Sequence, residues 1–361
     1  MKIDHTSPVP LYRQIADRLR IKIQSGEWKE GDRLQSHQEL AETFGVSMIT
    51  IKKAMAELVD EGIIYIRPGK GTFVAPKKPR EEKVRHKTIG LVLSDLKEPF
   101  FSMVLSSVEE KASLQGYSMF LSNTSEQAEK EERQIHRFRE LGVDGLIIAS
   151  MTHVHRGPAP IRRLKEEGFP FVMVSYIEDE DIPYVGTDHA LGAYLGTRHL
   201  VELGYRRIGY INAEEGNLLG ELRKQGYSRA LEDAGRLVDE GSLYRLKWED
   251  YESGYEIGRV FSGLVERPDA MFAYSDVAAL GFEQAVLDSG LSVPGDVAIV
   301  GFDDIERDLY APVPLTTVHQ PAEEIGAGAF AVLSKLMDGE QVRIRTILEP
   351  RLVVRKSCGA Q

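Results

Sequence analysis

Residues 88–117 read TIGLVLSDLKEPFFSMVLSSVEEKASLQGY, and this stretch decides the fold of the larger part of the chain. Its first apolar run, IGLVLS at 89–94, predicts a buried strand, and the residues near 100–115 predict a helix. A second apolar run, YSMFLS at 117–122, follows at once. Strands that are apolar along their whole length need cover on both faces. The order strand, helix, strand therefore predicts an α/β fold with a parallel sheet.

The same alternation continues as far as residue 302. The first series adds predicted strands at 145–150 and 171–175 and predicted helices near 126–141 and 160–167. A helix predicted at 188–203 begins a second series. Its further strands are predicted at 207–212, near 242–247, at 270–275 and at 297–302, with helices near 219–234, at 250–264 and at 276–289. Two such series predict two parallel-sheet subdomains of similar topology.

The chain before residue 76 shows helical spacing instead. Apolar side chains recur every four residues and predict a helix from about residue 10 to residue 25; they are Leu11, Ile15, Leu19 and Ile23. Ser36 followed by Glu39 forms a capping box, which predicts a second helix to about Phe44. Ser47 then caps a third predicted helix, whose apolar face is Ile51, Met55, Leu58 and Val59.

Gly62 ends the third predicted helix, and two short β-prone runs follow at 63–66 and 72–75. The stretch RPGKG at 67–71 separates the two runs and predicts the tip of a hairpin. Three helices followed by a hairpin predict that residues 1–75 form a winged helix-turn-helix DNA-binding domain. A small protein–protein interaction module with solvated charges is the alternative.

The third helix begins with a polar edge that suits the major groove of DNA, and the hairpin carries basic side chains for the backbone or the minor groove. The residues predicted to contact DNA are Ser36, Gln38, Ser47, Met48, Thr50, Lys52, Lys53, Arg67, Lys70 and Gly71.

Residues 76–87, PKKPREEKVRHK, separate the two patterns. Val84 is their one apolar side chain apart from the prolines, so we predict an exposed charged linker. The formal net charge of −11 divides at this place: residues 1–87 hold 17 Lys and Arg against 12 Asp and Glu, and residues 88–361 hold 28 against 44. A head of charge +5 on a body of charge −16 indicates that the head alone faces nucleic acid.

The 361 residues suffice for two or three domains with a core. Cys358 is the single cysteine, which excludes an intrachain disulfide and a cysteine-based metal site. The first twenty residues carry charges and no apolar signal-peptide core, and no run approaches the roughly 18 apolar residues of a membrane span. These features predict a soluble cytoplasmic protein.

Three segments of the head resemble the DNA-binding domain of the GntR superfamily of bacterial regulators: LYRQIADRLRIKIQSGEWKEGDRL (11–34), ELAETFGVSMITIKKAMAELVDEGII (39–64) and RPGKGTFV (67–74). Gln38 and Met48 stand where this family usually has arginines that contact DNA, and Lys52 stands where arginine is frequent. Glutamine still bonds to phosphate or adenine, whereas methionine offers only apolar contact. The family's operator sequence is therefore not transferred.

The body resembles the effector domain of the LacI/GalR family, a periplasmic-binding-protein-like fold, over nearly all of residues 88–355. The segments that carry the resemblance include 88–117, VDGLIIAS (143–150), RHLVELGYRRIGYI (198–211), FAYSDVAALG (272–281), VPGDVAIVGFDD (293–304) and PLTTVHQP (314–321). The resemblance implies an effector-binding and dimerisation domain at 88–361, with one subdomain at about 88–186 plus 318–340 and the other at about 187–317 plus 341–361. The fusion resembles sugar regulators of the arabinose-repressor type.

Ligands of open parallel sheets bind beyond the carboxyl ends of the strands. Polar side chains follow several predicted strands: Ser94, Asp95, Ser175, Ser275, Asp276, Asp303 and Asp304. A polyol needs a buried carboxylate, an arginine and an aromatic ring. The resemblance implies that Asp303, Arg223 and either Phe100 or Phe101 fill these roles. The predicted effector-binding residues are Asp95, Phe100, Phe101, Ser175, Arg223, Tyr251, Ser275, Asp276, Asp303 and Gln320.

Each of these roles has a structural alternative. Asp303 is otherwise a helix cap, Arg223 a surface ion pair, and one of the two phenylalanines a core residue. Ser175 and Ser275 replace an aspartate and an asparagine that are frequent in the LacI/GalR family, so its commonest sugars are not transferred to this chain.

No cofactor motif, nucleophile elbow or catalytic dyad is present in the sequence, so we predict neither an enzyme nor a cofactor. His153 and His155 lie in a predicted loop without further ligands, so no metal is predicted. The sequence predicts a homodimeric transcription regulator that binds double-stranded operator DNA of two-fold symmetry and a small sugar or polyol effector, and that is not bound to a membrane. The alternative is a sugar-binding or sugar-modifying protein without a direct DNA role.

Overall fold

The computed structural model describes residues 10–24, 27–75, 87–125, 127–150 and 159–360. The chain divides into two compact units, Met1–Arg85 and His86–Gln361. Apart from Lys87, the predicted linker lies outside the described residues, as do His153 and His155. Within the described ranges, no helix is both long and apolar enough to cross a bilayer.

The first unit consists of three helices and a hairpin, as the sequence predicts. The helices are α1 (Leu11–Gln24), α2 (His37–Phe44) and α3 (Met48–Asp60), and the hairpin pairs β1 (Ile64–Arg67) with β2 (Gly71–Val74) in antiparallel order. Both hydrogen bonds of the predicted capping box are present, from the Glu39 amide to the Ser36 hydroxyl and from the Ser36 amide to the Glu39 carboxylate. Ser47 caps α3 by accepting from the Thr50 amide.

The predicted apolar faces of these helices meet in one core. Its buried members include Ile15, Leu19, Ile51, Met55 and Leu58. Because this core takes up one side of α3, the opposite side of the helix stays accessible.

The first lobe of the second unit contains a six-stranded sheet whose strands are all parallel. The strand at residues 88–93 packs into two apolar cores, one on each face of the sheet. Leu91 and Leu93 belong to one core, and Val92 belongs to the other. In sheet order the strands are β13 (Arg345–Leu348), β7 (Tyr184–Thr187), β6 (Phe171–Met173), β5 (Gly145–Ala149), β3 (Thr88–Leu93) and β4 (Ser118–Asn123). The helices of this lobe are α4 (Pro99–Leu114), α5 (Ala128–Glu140), α6 (Ala159–Glu166) and α11 (Ala322–Asp338).

The second lobe contains another six-stranded sheet, which is parallel except for its antiparallel edge strand β14. In sheet order the strands are β14 (Arg351–Val353), β12 (Thr316–His319), β11 (Ala298–Asp303), β10 (Ala270–Ala273), β8 (Ile208–Asn212) and β9 (Leu243–Arg245). Its helices are α7 (His189–Glu202), α8 (Leu218–Asp233), α9 (Tyr251–Ser262) and α10 (Asp276–Asp288), with short 3₁₀ turns at Glu240–Ser242 and Glu306–Leu309.

The chain crosses between the lobes three times, and this corrects one predicted boundary. It crosses after β7, after β12 and between β13 and β14. The sequence assigns all of 341–361 to the second subdomain, whereas β13 pairs with β7 in the first sheet. The sequence analysis also misses β7, β12, β13 and β14, because each has only three or four residues and lacks a long apolar run.

Candidate functional site

The two lobes of the second unit enclose a cavity of about 110 Å³. Residues that directly follow strands line it on both sides: Ser94 after β3, Ser150 after β5, Tyr274 after β10 and Gln320 after β12. Carboxyl ends of parallel strands converge at one edge of a sheet, and two such edges face each other here. The cavity therefore lies where the sequence predicts an effector site.

Eight of the ten predicted effector-binding residues line this cavity. They are Asp95, Phe100, Phe101, Ser175, Arg223, Ser275, Asp303 and Gln320. The first four belong to the first lobe, and Arg223, Ser275 and Asp303 belong to the second. Phe100 also belongs to the core of the first lobe, and its ring contacts that of Phe101 edge to face at 5.4 Å.

Asp276 does not line the cavity, because its side chain turns into the second lobe. One carboxylate oxygen accepts from the Thr317 hydroxyl at 2.5 Å, and the other accepts from the amides of Asp304 and Ile305 at 2.6 and 3.3 Å. Burial raises the pKa of Asp276. Asp276 therefore holds the turn that follows β11 and is a structural residue of the site.

Tyr251 also lies outside the lining, at the first position of α9. A Cβ atom added to Gly281 of α10 would lie only 2.0 Å from the Tyr251 carbonyl oxygen. This end of α9 therefore packs with its backbone directly against α10. The cavity is lined instead by Glu249, two residues earlier in the chain.

The centre of the site is a buried pair formed by Arg223 of α8 and Asp303 at the end of β11. Arg223 is 3% exposed, and its Nη2 lies 3.6 Å from Asp303 Oδ1. Its guanidinium lies 3.8 Å from the ring centroid of Phe302, and its Nη1 donates to the carbonyl of Tyr274. The Nε atom of Arg223 is buried and has no hydrogen-bond partner among the described residues. Arg223 is thus not a surface residue, and one of its donors has no partner among the described residues.

Asp303 does not cap a helix. It is the last residue of β11, and its φ of 127° is in a region that L side chains rarely adopt. Gln320 Nε2 donates to Asp303 Oδ1 at 2.6 Å. Burial raises the pKa of Asp303 well above its usual range, although the charge of Arg223 opposes this rise. The carboxyl group is therefore held rigidly at the cavity wall.

Sequence reasoning misses several lining residues. They are Glu98, Ser150, Tyr176, Tyr184, Thr187, His189, Glu249 and Tyr274, besides apolar neighbours. Glu98 lies in the loop between two predicted site residues, Asp95 and Phe100, and this proximity is a signal in the sequence. Glu249 lies in a loop of the second lobe, where nothing in the sequence marks it.

His189 is neutral at the cavity wall. Burial lowers its pKa well below the usual range, and the charge of Arg223 lowers it further. Its ring stacks on Phe302 at 6.1 Å, on the same ring that Arg223 contacts. Ser175, on the opposite lobe, is held by the Ser150 amide, which donates to its Oγ at 2.8 Å.

The first unit exposes the N-terminal part of α3. Met48 and Ile49 are 42% and 78% exposed, and Lys52 and Lys53 are exposed beside them. The Nζ atom of Lys53 lies over the Tyr12 ring at 4.1 Å. Ile49 is absent from the predicted DNA-contact residues, because an isoleucine in an amphipathic helix is expected to lie in the core.

The other predicted DNA-contact residues fall into two groups. Ser36 and Ser47 are helix caps, and Thr50 shares a hydrogen bond with Ser47 through their hydroxyl groups at 2.8 Å. Gln38 is exposed on α2. On the hairpin, Arg67 lies over the Tyr65 and Phe73 rings at 5.3 and 5.6 Å, with Lys70 and Gly71 at the tip.

A helix-turn-helix head and a bilobed unit with a polar cavity define the class of ligand-responsive DNA-binding proteins. Comparison with known proteins agrees for both units. Residues 11–74 match the gntR family of bacterial regulatory proteins, and residues 197–358 match the periplasmic binding protein-like domain.

Similar proteins extend the match to the whole chain. The arabinose metabolism transcriptional repressor of Geobacillus stearothermophilus is 32% identical over 361 residues, which cover 97% of this chain and 98% of that protein. The HTH-type transcriptional repressor PurR of Haemophilus influenzae is 31% identical over 276 residues, 75% of this chain and 81% of that protein.

Two solved structures show the same fold. A complex of the transcriptional regulator CelR with cellobiose has a TM-score of 0.68 and 29% identity, covering 86% of this chain and 91% of that one. The transcription regulator GntR of Chromobacterium violaceum has a TM-score of 0.69 and 27% identity, covering 76% and 100%. The chain therefore belongs to the family of transcriptional repressors that join a gntR-type DNA-binding domain to a LacI-type effector-binding domain.

Proposed function

We propose that this protein is a homodimeric repressor that binds an operator of two-fold symmetry and is controlled by a small sugar or polyol in the cavity between its lobes. The observation that carries this proposal is the buried Arg223–Asp303 pair at the cavity wall, with Arg223 Nε unpartnered. The sugars in the names of two relatives, arabinose and cellobiose, support the same ligand class.

The chemistry of the wall suits a polyol. A carboxylate accepts from hydroxyl groups, a guanidinium donates to their oxygens, and an aromatic ring covers the apolar C–H face of a sugar. Asp303, Arg223 and Phe101 supply these three groups in the cavity. Because a buried polar group without a partner is costly, a ligand that satisfies Arg223 Nε binds more tightly than one that leaves it unpaired.

Both lobes contribute side chains, so a bound effector favours the arrangement in which the lobes are closed on it. Closure rotates one lobe against the other about the three crossings. In a dimer this rotation moves the two points from which the linkers start, and so changes how well both recognition helices reach their half-sites. The effector then acts on DNA binding without touching DNA.

The test uses the full-length protein, a panel of pentoses, hexoses and their phosphates, and thermal unfolding as the readout. A compound that binds the native state raises the unfolding temperature, by an amount that grows with its concentration. Size-exclusion chromatography with light scattering is expected to give twice the chain mass of 40.4 kDa. If no compound raises the unfolding temperature, the sugar assignment is wrong.

Asp303→Ala is expected to raise the dissociation constant of the compound found in this way by about 100-fold, because its hydroxyl groups lose a buried carboxyl partner. Operator affinity without effector is expected to stay unchanged. Asp233→Ala, at the exposed end of α8, is the matched control. Unaltered effector binding by the Asp303 variant would remove this residue from the site.

Two other functions predict different results. A sugar-modifying enzyme would convert a bound sugar, which chromatography of the sugar after incubation with purified protein detects. A sugar-binding protein without a DNA role would show no binding to any operator upstream of its own gene. We expect no turnover and specific operator binding.

A further inference from the structure

The cavity has an excess of negative side chains. Four carboxyl groups line it, those of Asp95, Glu98, Glu249 and Asp303, whereas Arg223 is the one cationic lining side chain among the described residues. His189, which also lines the cavity, has a strongly lowered pKa and adds no positive charge. The lining therefore holds four acidic groups against one cationic group, and it favours a ligand that brings hydrogen-bond donors and positive charge.

Three of the four carboxyl groups are held by neighbouring donors. Asp303 accepts from Gln320 and faces Arg223, and Asp95 Oδ1 accepts from the Lys97 amide at 3.0 Å. Glu249 accepts from the Asn217 amide group through Oε1 and from the Tyr274 hydroxyl through Oε2, the latter at 3.2 Å. Asn217 also caps α8, so Glu249 is tied to the helix that carries Arg223.

Glu98 differs from the other three. The amide of Phe100 donates to its carboxylate, but its Oε1 is shielded from solvent and has no hydrogen-bond partner in the described part of the chain. Burial and then the nearby charge of Glu249 raise the pKa of Glu98 to about 7, although the Phe100 amide and the charge of Arg223 oppose this rise. Glu98 thus lacks a donor for one oxygen, and the charge of Arg223 only partly offsets the effects of burial and of Glu249.

A neutral hydroxyl group meets only part of this need. It donates one hydrogen bond to Glu98 and leaves the repulsion between Glu98 and Glu249 in place. A protonated primary amine donates three hydrogen bonds and places a positive charge between the two carboxylates. A metal ion is a poorer match, because no group of three His, Cys, Asp or Glu side chains in the described ranges is arranged to hold one.

We propose that the effector is an aminated sugar or polyol, whose ammonium group is bound by Glu98 and Glu249 while its hydroxyl oxygens accept from Arg223. This inference rests on the proposed function, because it names the class of effector for the same cavity. The unpartnered Glu98 Oε1 and Arg223 Nε then define two ends of the ligand, one cationic and one hydrogen-bond accepting.

The experiment measures binding by calorimetry at pH 7 with matched triplets. Each triplet contains a 2-amino-2-deoxyhexose, its parent hexose and its N-acetyl derivative, in the gluco, galacto and manno series; the pair 1-amino-1-deoxysorbitol and sorbitol is added. We expect one amine to bind about tenfold or more tightly than its parent and its acetylated form, because acetylation removes the charge.

Glu98→Gln keeps the shape of the side chain and removes its charge. We expect this variant to lose about tenfold or more in affinity for the amine, and to lose clearly less affinity for the neutral parent, which keeps a hydrogen bond to the glutamine side chain. Glu283→Gln is the matched control, because Glu283 is also a buried glutamate with a pKa raised to about 7 but lies outside the cavity lining. Its affinity for the amine is expected to equal that of the wild type.

The outcomes separate the two proposals. If neutral sugars bind and no amine binds more tightly, the amine inference is wrong and the proposed function stands. If an amine binds but Glu98→Gln leaves its affinity unchanged, the assignment to Glu98 and Glu249 is wrong. If Mg²⁺ or Ca²⁺ alone stabilises the wild type and not Glu98→Gln, the cation is a metal and the inference fails. If no compound of these triplets binds, the amine inference fails, and the proposed function is then decided by the panel of pentoses, hexoses and phosphates described above.

Discussion

Buried carboxyl groups of the second unit hold their protons at unusually high pH. The clearest case is Asp308, whose pKa burial and the neighbouring Asp276 raise to about 11. Neither Asp308 oxygen has a hydrogen-bond partner among the described residues, and Arg355 Nη1 lies 3.8 Å from its Oδ2. A proton on Asp308 avoids a second buried negative charge beside Asp276. This pair stabilises the turn that begins with Asp303.

Glu283 makes a testable contribution to the pH dependence of stability. Its Oε1 accepts from the Val313 amide at 3.0 Å, its Oε2 is buried without a partner, and burial raises its pKa from 4.5 to about 7. Between these values the folded protein keeps a proton that the unfolded chain releases, so the free energy of unfolding falls as pH rises. The side chain of Glu283→Gln does not titrate. From pH 5 to pH 8 the free energy of unfolding of this variant is therefore expected to fall by less than that of the wild type, with a difference of up to about 3 kcal/mol.

Urea unfolding of the second unit at both pH values measures this difference. Glu324→Gln, an exposed position on α11, is the control and is expected to show the pH dependence of the wild type. Equal pH dependence of wild type and Glu283→Gln would contradict the assignment.

At the scale of residues, the site is partly readable in the sequence. Asp303, Ser175 and Gln320 are predicted because they follow apolar strands or lie in segments that resemble a known family. Asp276 has the same sequence context as a cavity residue but turns into the lobe, since Thr317 and two amides offer it donors there. Glu249 is missed because its place in the cavity depends on contacts with Asn217 and Tyr274, which are distant in sequence.

At the scale of elements, two helix pairs of the second lobe pack with their backbones in contact. A Cβ on Gly226 of α8 would lie 2.0 Å from the Ala190 carbonyl oxygen of α7. A Cβ on Gly254 of α9 would lie 2.2 Å from the Ala278 carbonyl oxygen of α10. Gly226 follows Arg223 by about one turn, so the close contact between α7 and α8 also sets the position of the site arginine.

Gly226→Ala is expected to destabilise the second unit by about 2 kcal/mol or more. Alanine favours a helix by roughly 1 kcal/mol over glycine, but a backbone atom cannot yield to the added methyl group as a side chain would. Gln225→Ala, at an exposed position of the same helix, is the control and is expected to change stability little. Chemical unfolding measures both. If Gly226→Ala stabilised the protein instead, α7 and α8 would be able to move apart without a loss of stability, and the close contact would not matter.

The recognition helix α3 exposes Met48, Ile49, Lys52 and Lys53 together, which joins an apolar contact surface to two positive charges. Lys52→Ala is expected to weaken operator binding and to reduce the slope of log affinity against log salt concentration by about 1, as loss of one phosphate contact does. Lys335→Ala on α11 makes the same charge change in the other unit and is expected to leave the slope unchanged. An unchanged slope for Lys52→Ala would exclude a phosphate contact.

At the scale of the whole molecule, two functions are divided between units of opposite charge. The first unit carries the exposed basic helix, and the second carries the acidic cavity and most of the chain's negative charge. Negative charge on the body repels DNA and restricts non-specific contact to the head. The chain crosses between the lobes three times, and the closure that we propose would turn one lobe against the other at these crossings.

Coupling between the sites must be reciprocal. If the effector weakens operator binding by some factor, saturating operator DNA is expected to weaken effector binding by the same factor, typically 5- to 150-fold. Fluorescence anisotropy of labelled operator, with and without effector, gives one factor, and calorimetry of the effector, with and without operator, gives the other. Asp303→Ala is expected to abolish both effects. Unequal factors would show that effector and operator do not act on the same conformational equilibrium of the protein.

The sequence by itself determined the helices of the head, the capping box at Ser36, most of the parallel strands and the carboxyl ends of the strands at which the cavity lies. These features depend on neighbouring residues, through apolar periodicity, caps and turns. Only the tertiary structure decided that β13 completes the first sheet, that Asp276 turns away from the cavity, and that Glu98 and Glu249 face one ligand space. Edge pairing, burial and the proximity of like charges depend on residues far apart in the chain, and so they exist only once the lobes are folded.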